Sequence, residues 1–521
     1  MAELNEMLSA PKADESSEPR LDGPGPSQMM EDELAMPRMV GIASVMALII
    51  GFVAVGFGLQ DRSFAIGPGL GLLFMIAGLT GLVVHAFMEE DATLRLAFFG
   101  AGVVGALAGT GVLFLSDWSV AGRALGAIIA FVALPLLLSV ARGSSAQQPV
   151  LGFVPRGLLI AGIALLTIGL AWLFRLSERG EFENIGLPLV LSALGGAYFL
   201  GVLGFLGWES ELGNRSGWLA TLGGLAIALL ALLRSLAHEA GWWPALGSAY
   251  FVPGGYLIVL VSLLLAGASY ATVSDRPTLV VARRELEAFF YSPIAYFVLI
   301  SFALATWFSY QNFLGNLAEG RVLEPILNYY VIELFLIICL LFSVPLITMR
   351  LLSEEMRAGT LEVLLTAPVD ETAVVLGKFL AAFVMFMSLW LPFALYLLSL
   401  PVAAQPGFDF RPLLSFAVVL SATGAGFVAM GLLFSAVSSN QLVAGALTLV
   451  GMIGLLVPYI LQFRLMETSG WGTVLNHISF LSGWESALEG KLIPRQLVFS
   501  LSLTVFCLFC AGKALESRKW K

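Results

Sequence analysis

PLITMRLLSEEMRAGTLEVLLTAPVDETAVVLGKF, residues 345–379, sets charges and helix-ending residues between two runs too apolar to be soluble. The apolar run 329–348 leads into Arg350, Glu354, Glu355 and Arg357. Gly359 and Thr360 then interrupt, Pro368 stops the helix, and Asp370 is placed to cap a second long apolar helix. This order predicts a cytosolic elbow between two membrane helices, built to touch something soluble.

The rest of the chain fits that setting. Of its 521 residues 58% are hydrophobic and only 12% charged, with a mean hydropathy of +0.90, whereas about a quarter of a soluble domain is charged. Runs long enough to cross a bilayer, ~20 apolar residues each, recur throughout. About eight are expected first, near residues 39–59, 67–87, 96–115, 122–140, 155–174, 187–206, 216–236 and 252–272. About six follow, near 294–313, 329–348, 373–400, 413–437, 441–461 and 496–515. The expectation is an all-α polytopic membrane protein of about fourteen transmembrane helices.

Much of the net charge of −9 lies in residues 1–36. Rich in Pro, Ser and Gly, this stretch reads as a disordered acidic cytosolic tail, and it lacks the basic start and apolar core of a signal peptide. Residues 37–273 read as an N-terminal membrane bundle whose charges stay in the loops. A proton- or ion-coupled carrier usually places an ionisable group near the midplane, so that class is disfavoured. Gly105 and Gly109, four residues apart, predict a close helix–helix approach.

Residues 278–291 break the apolar pattern. Leu279, Ala282, Leu286 and Phe289 recur at helical spacing while Arg283, Arg284 and Glu287 fall on another face, which predicts an amphipathic helix lying along the membrane surface. A solvated connector is the plain alternative. Positive charges concentrate on the side shared by this helix, the loop 350–372 and the C-terminal tail, so both termini and that loop are assigned to the cytosol.

In order, the chain reads RRELEAFFYSPIAYF, a span, an outer loop, a second span, and then PLITMRLLSEEMRAGTLEVLLTAPV running into VVLGKF. This resembles the permease subunits of type-2 ABC exporters, most closely those of the gliding-motility and nitrous-oxide-accessory kind, over about residues 281–521. The resemblance implies a six-helix permease domain at 274–521. In it, the surface helix, with Arg283, Arg284 and Glu287, is a connecting helix. The loop after the second span carries a coupling helix, in which Arg350, Glu354, Glu355, Arg357, Gly359, Thr360 and Glu362 contact an ATPase subunit or support that contact. Short re-entrant helices are implied within 464–495.

The resemblance also implies a separate ABC ATPase subunit holding ATP and magnesium, since no GxxxxGK[ST] phosphate cradle occurs. The Gly-Lys pairs at Gly377, Gly490 and Gly512 are followed by Phe, Leu and Ala. No cofactor or metal is assigned to this chain itself. A homodimer or a second permease-like chain is implied, with membrane lipid and an accessory extracytoplasmic protein as further partners, no nucleic acid, and a place in the cell membrane. Where the chain departs from the family is its extra N-terminal bundle.

Two alternatives stand beside this: a noncatalytic membrane scaffold, and an integral membrane enzyme acting on lipid-linked substrates. Cys339, Cys507 and Cys510 lie in apolar runs and read as packing residues, as do His85, His238 and His477. Glu333, near the outer end of the second permease span, either bonds within the bundle or lines a cargo path.

Overall fold

The computed structural model of the chain describes residues 41–50, parts of 78–86 and 126–137, and residues 92–114, 154–179, 186–206, 211–240, 254–290, 292–318, 327–359, 370–397, 411–465 and 471–518. The acidic tail, Thr360 and Glu362 lie outside them. The regular structure among the described residues is helical. Seven helices there are long and apolar enough to cross a membrane, or eight if one sharply bent pair counts as a span. The helices Gly41–Ile50, Ala97–Val112, Arg156–Trp172 and Val190–Leu203 are apolar but shorter. The expected spans at 67–87 and 122–140 fall largely outside the described residues.

By contact the chain forms two units, 1–116 with 124–155, and 117–123 with 156–521. In the first, α1 (Ala92–Phe114) carries Gly109, where a Cβ would lie 2.6 Å from the Ala130 nitrogen and the Gly126 oxygen. The glycine spacing in the sequence does mark a close backbone approach.

The second unit begins with α2 (Val154–Arg179), α3 (Gly186–Leu206), α4 (Glu211–Glu239) and α5 (Gly254–Val273). Helices α4 and α5 pack antiparallel: a Cβ on Gly217 would meet Val273, and one on Gly224 would meet Ser262 and Ala266. After Val273 the chain turns through 94° into α6 (Pro277–Phe290). Pro277 opens α6, where its missing N–H is no loss. This is the amphipathic segment expected at 278–291.

Next come α7 (Pro293–Ala318), α8 (Asn328–Val331), α9 (Leu334–Thr348), α10 (Ser353–Ala358), α11 (Glu371–Leu389), α12 (Leu391–Leu397), α13 (Arg411–Val437), α14 (Gln441–Leu465), α15 (Trp471–Ile478), α16 (Phe480–Leu488) and α17 (Pro494–Arg518). The single span expected at 329–348 is instead broken at Ile332 and Glu333, where Glu333 is extended (φ −100°, ψ 136°). The cause is local and polar. Glu333 Oε1 accepts a 2.9 Å hydrogen bond from Asn312 Nδ2 on α7, so this carboxylate bonds within the bundle. Asp370 occupies the N-cap of α11, yet its side chain makes no capping bond; its backbone carbonyl accepts from Ala373 and Val374.

The centre of the unit is α13, 72% of whose apolar window is buried, against 22% for α14 and for α17. An aromatic cluster packs beside it. Trp484 on α16 meets Trp390, Phe416 and Phe480 edge to face at 5.3–5.6 Å, and its Nε1 donates to Thr423 Oγ1 at 3.1 Å. Each edge-to-face pair adds about 0.5–1.5 kcal/mol beyond area burial. Trp484→Ala is therefore expected to lower stability by about 3–5 kcal/mol and Trp484→Phe by clearly less; thermal unfolding in detergent reads the difference, and equal loss in both would contradict the packing account.

Candidate functional site: a charged hub beside the turn before α10

Helix α6 is held at both ends. At its start, Arg283 donates to the carbonyls of Thr272 and Ser274, the second at 2.7 Å. These are carbonyls at and just past the C-terminus of α5, which have no intrahelical donor. Burial pulls the Arg283 guanidinium below its ordinary pKa, opposed by the charges of Asp275 and Glu287. At the far end of α6, the guanidinium of Arg350 lies 5.0 Å over the Phe289 ring and donates to Ser292 Oγ. Arg350 thus ties the turn before α10 to α6 rather than pointing outward.

Between these ends α6 is pressed against α11. A Cβ on Gly377 would stand 2.7 Å from the Thr278 oxygen and from Val281 Cβ, so only glycine admits the approach. The next residue, Lys378, is 1% exposed, and its Nζ lies 2.9 Å from Glu285 Oε1 and 2.8 Å from Glu355 Oε1. Glu285 belongs to α6 and Glu355 to α10. Arg284, largely exposed, joins the same carboxylates at 3.3 and 3.8 Å. Two cations and two carboxylates therefore close on each other at the point where three helices meet.

The turn Met349–Leu352 is fixed from the other side by α13. Ser435 Oγ accepts from the backbone N–H groups of Leu352 and Ser353, both at 3.0 Å, and donates to the Met349 carbonyl at 3.2 Å. One hydroxyl so satisfies three backbone groups that a buried turn would otherwise leave unpaired. From there α10 runs to Gly359, whose φ of 71° is the left-handed conformation that ends helices and suits glycine. Its acidic first turn (Glu354, Glu355) and basic last turn (Arg357) match the helix dipole.

Of the residues the sequence singled out, the structure turns Arg283, Arg350 and Glu355 inward as internal ties. It leaves Glu354, Arg357, Gly359, Arg284 and Glu287 exposed. Lys378, Glu285, Ser292 and Ser435 were missed as members of the site. For Lys378 a signal existed: a cation two turns inside an apolar helix needs a partner.

On the opposite membrane face, α15 and α16 are short helices between the spans α14 and α17, where re-entrant helices were expected. Glu485 on α16 accepts a hydrogen bond from Tyr459 on α14, and the His477 ring lies 5.9 Å from Phe499. All three cysteines are free, and no group of metal-binding side chains occurs among the described residues.

Residues 251–487, covering α5 through α16, match the family described as ABC-2 family transporter protein. This part of the chain is an ABC-2-type permease domain, and the chain is a multi-pass membrane protein carrying it. Two proteins from strains of Dehalococcoides mccartyi, each named "Putative manganese efflux pump MntP", are 26% identical to it over 205 residues, 37% of this chain and 97% of theirs. No solved structure matches.

The hub makes a sharp prediction. Lys378→Met removes the buried cation between Glu285 and Glu355 and leaves the largely exposed Arg284 beside them, a change expected to cost about 3 kcal/mol. Adding Glu285→Gln and Glu355→Gln is expected to recover most of the loss, because the charges then leave together. Thermal unfolding of the single and triple variants separates this from simple loss of packing, in which case the triple variant is no better than the single.

Proposed function

We propose that this chain is the permease subunit of an ATP-driven ABC-type exporter, energised by a separate ATPase that docks on the α10 side in the cytosol. The observation that carries the reading is the division of labour in α10. Glu354 and Arg357 stand exposed on a short helix whose other side is bound to the membrane domain through Glu355, Lys378 and the Ser435 hydroxyl. A coupling element needs polar contacts for a soluble partner on one side and a stiff connection to the spans on the other. A freely solvated loop needs neither the buried lysine nor the anchored turn.

The ATPase supplies the ATP and magnesium site. Two permease halves are then required to face two ATPase subunits, as a homodimer or with a second permease-like chain. The positive-inside distribution favours the α10 face in the cytosol, and the resemblance favours the cell membrane as its location. Thr360 and Glu362 join the docking proposal by the sequence resemblance alone. The charges of the N-terminal bundle, kept toward the ends of its apolar runs, favour an apolar or amphipathic cargo, and manganese, which the names of the two relatives carry, belongs in the transport panel beside it.

Co-purification in detergent with the ABC ATPase encoded nearest to this chain tests the reading. Glu354→Lys with Arg357→Glu reverses the exposed charges and is expected to weaken ATPase retention at least about ten-fold at unchanged thermal stability. Undiminished retention would move docking away from α10. Failure of the wild-type chain to retain any ATPase would favour the scaffold alternative.

A further inference from the structure

On the membrane face opposite α10, helices α13, α15, α16 and α17 close around a cavity of about 20 Å³, with α14 along one side. That is room for about one water or one hydroxyl group. Part of its wall is apolar, from Phe427 on α13, Leu455 on α14 and Leu503 on α17. Two glycines leave the space: a Cβ on Gly426 would lie 3.4 Å from Leu503, and one on Gly483 would lie 3.4 Å from Gln496 Oε1.

Polar side chains line the rest and have little else to bond. His477, Gln496 and Ser500 border the cavity, and none of them makes a side-chain hydrogen bond among the described residues. Ser500 is only 8% exposed, so its hydroxyl has the cavity to bond into. Ser479 Oγ accepts from the Ser482 N–H at 3.3 Å and keeps its own proton to donate. Thr423, on the same wall, is already engaged: its Oγ1 accepts from Trp484 Nε1 and donates to the Val419 carbonyl. An imidazole, an amide and two hydroxyls thus offer donors and acceptors together, and among the described residues no charged side chain lines the cavity.

Access is from the side. Leu455, Phe499 and Leu503 are half-buried, and they belong to α14 and α17, whose apolar windows are only 22% buried. Gln496 and Leu503 both lie within about 14 Å of the start of α17, which spans the interfacial layer and the first part of the hydrocarbon on that face.

We propose that this cavity binds the uncharged polar end of a lipid from the leaflet opposite α10, a lipid ending in a free hydroxyl, with its chains lying along Phe499 and Leu503. A hydroxyl matches both the size of the cavity and its mixed donors and acceptors. A phosphate brings a charge that no side chain there offsets. A lone water fills the cavity but leaves the apolar approach between α14 and α17 unused.

Native mass spectrometry of the purified full-length chain tests this with dioleoylglycerol, its O-methyl ether and dioleoyl phosphatidylglycerol. Dioleoylglycerol is expected to be retained about ten-fold over the ether, which adds a methyl and loses the O–H, and to be retained over phosphatidylglycerol. Gly426→Ala puts a methyl into the cavity at an ordinary contact distance and is expected to abolish the preference at undiminished thermal stability. Gly454→Ala on α14, whose Cβ would stand in open space, leaves the preference intact. Gln496→Leu with Ser500→Ala is expected to weaken dioleoylglycerol retention about ten-fold. Equal retention of dioleoylglycerol and its ether by the wild-type chain overturns the proposal whatever the variants do, as does a preference that survives Gly426→Ala. Stronger retention of phosphatidylglycerol overturns it in favour of an anionic-lipid site. Retention of no lipid overturns it in favour of a seat for one ordered water.

Discussion

A buried ammonium is the constraint on which the permease unit is organised. Moving a lysine out of water costs several kcal/mol even after relaxation, and Lys378 recovers that cost only because two carboxylates reach it from two different helices. The hub is therefore conditional: it is complete when α6, α10 and α11 are all in register, and any one of them moving alone breaks at least two of its ion pairs. The close approach at Gly377 and the clamp of Arg350 on Phe289 serve the same register. Apolar packing tolerates gradual sliding. A charge shared between elements favours discrete positions, the kind of element that domain motions act on.

The same logic separates the two faces of the unit. On the α10 face, ion pairs, side-chain hydrogen bonds and a cation–π contact join short elements to long ones. On the opposite face, the cluster around Trp484 joins elements by aromatic edges with few polar bonds. One face is organised to hold alternative charges in place, the other to fill space.

Much of this was legible in the sequence. The charged turn after Pro345, the amphipathic helix before it, and the limits of most described helices from Val154 onward could be read from charge placement and hydropathy, because the bilayer imposes a length on every apolar run. Three features were not legible, each for a physical reason. The break at Glu333 is invisible to an averaged hydropathy, since one carboxylate hardly dilutes a run of leucines and isoleucines. The partnership of Lys378 with Glu285 and Glu355 depends on tertiary register, and local spacing does not encode it. The inward turn of Arg350 depends likewise on tertiary placement, because an arginine beside an acidic pair reads the same in sequence whether it faces a partner or the aromatic ring beneath it.

Ser435 has a role that its size conceals. Its hydroxyl holds the turn before α10 to the middle of the unit, and α13, to which it belongs, is the span with the least surface toward lipid. Displacement of α10 is therefore delivered to protein interior before it reaches the bilayer. Stiffness along that route comes from close packing, whose resistance is set by side-chain shape. Changes in membrane thickness and fluidity bear mainly on the outer spans α14 and α17, which have the smallest buried share among the long apolar helices described.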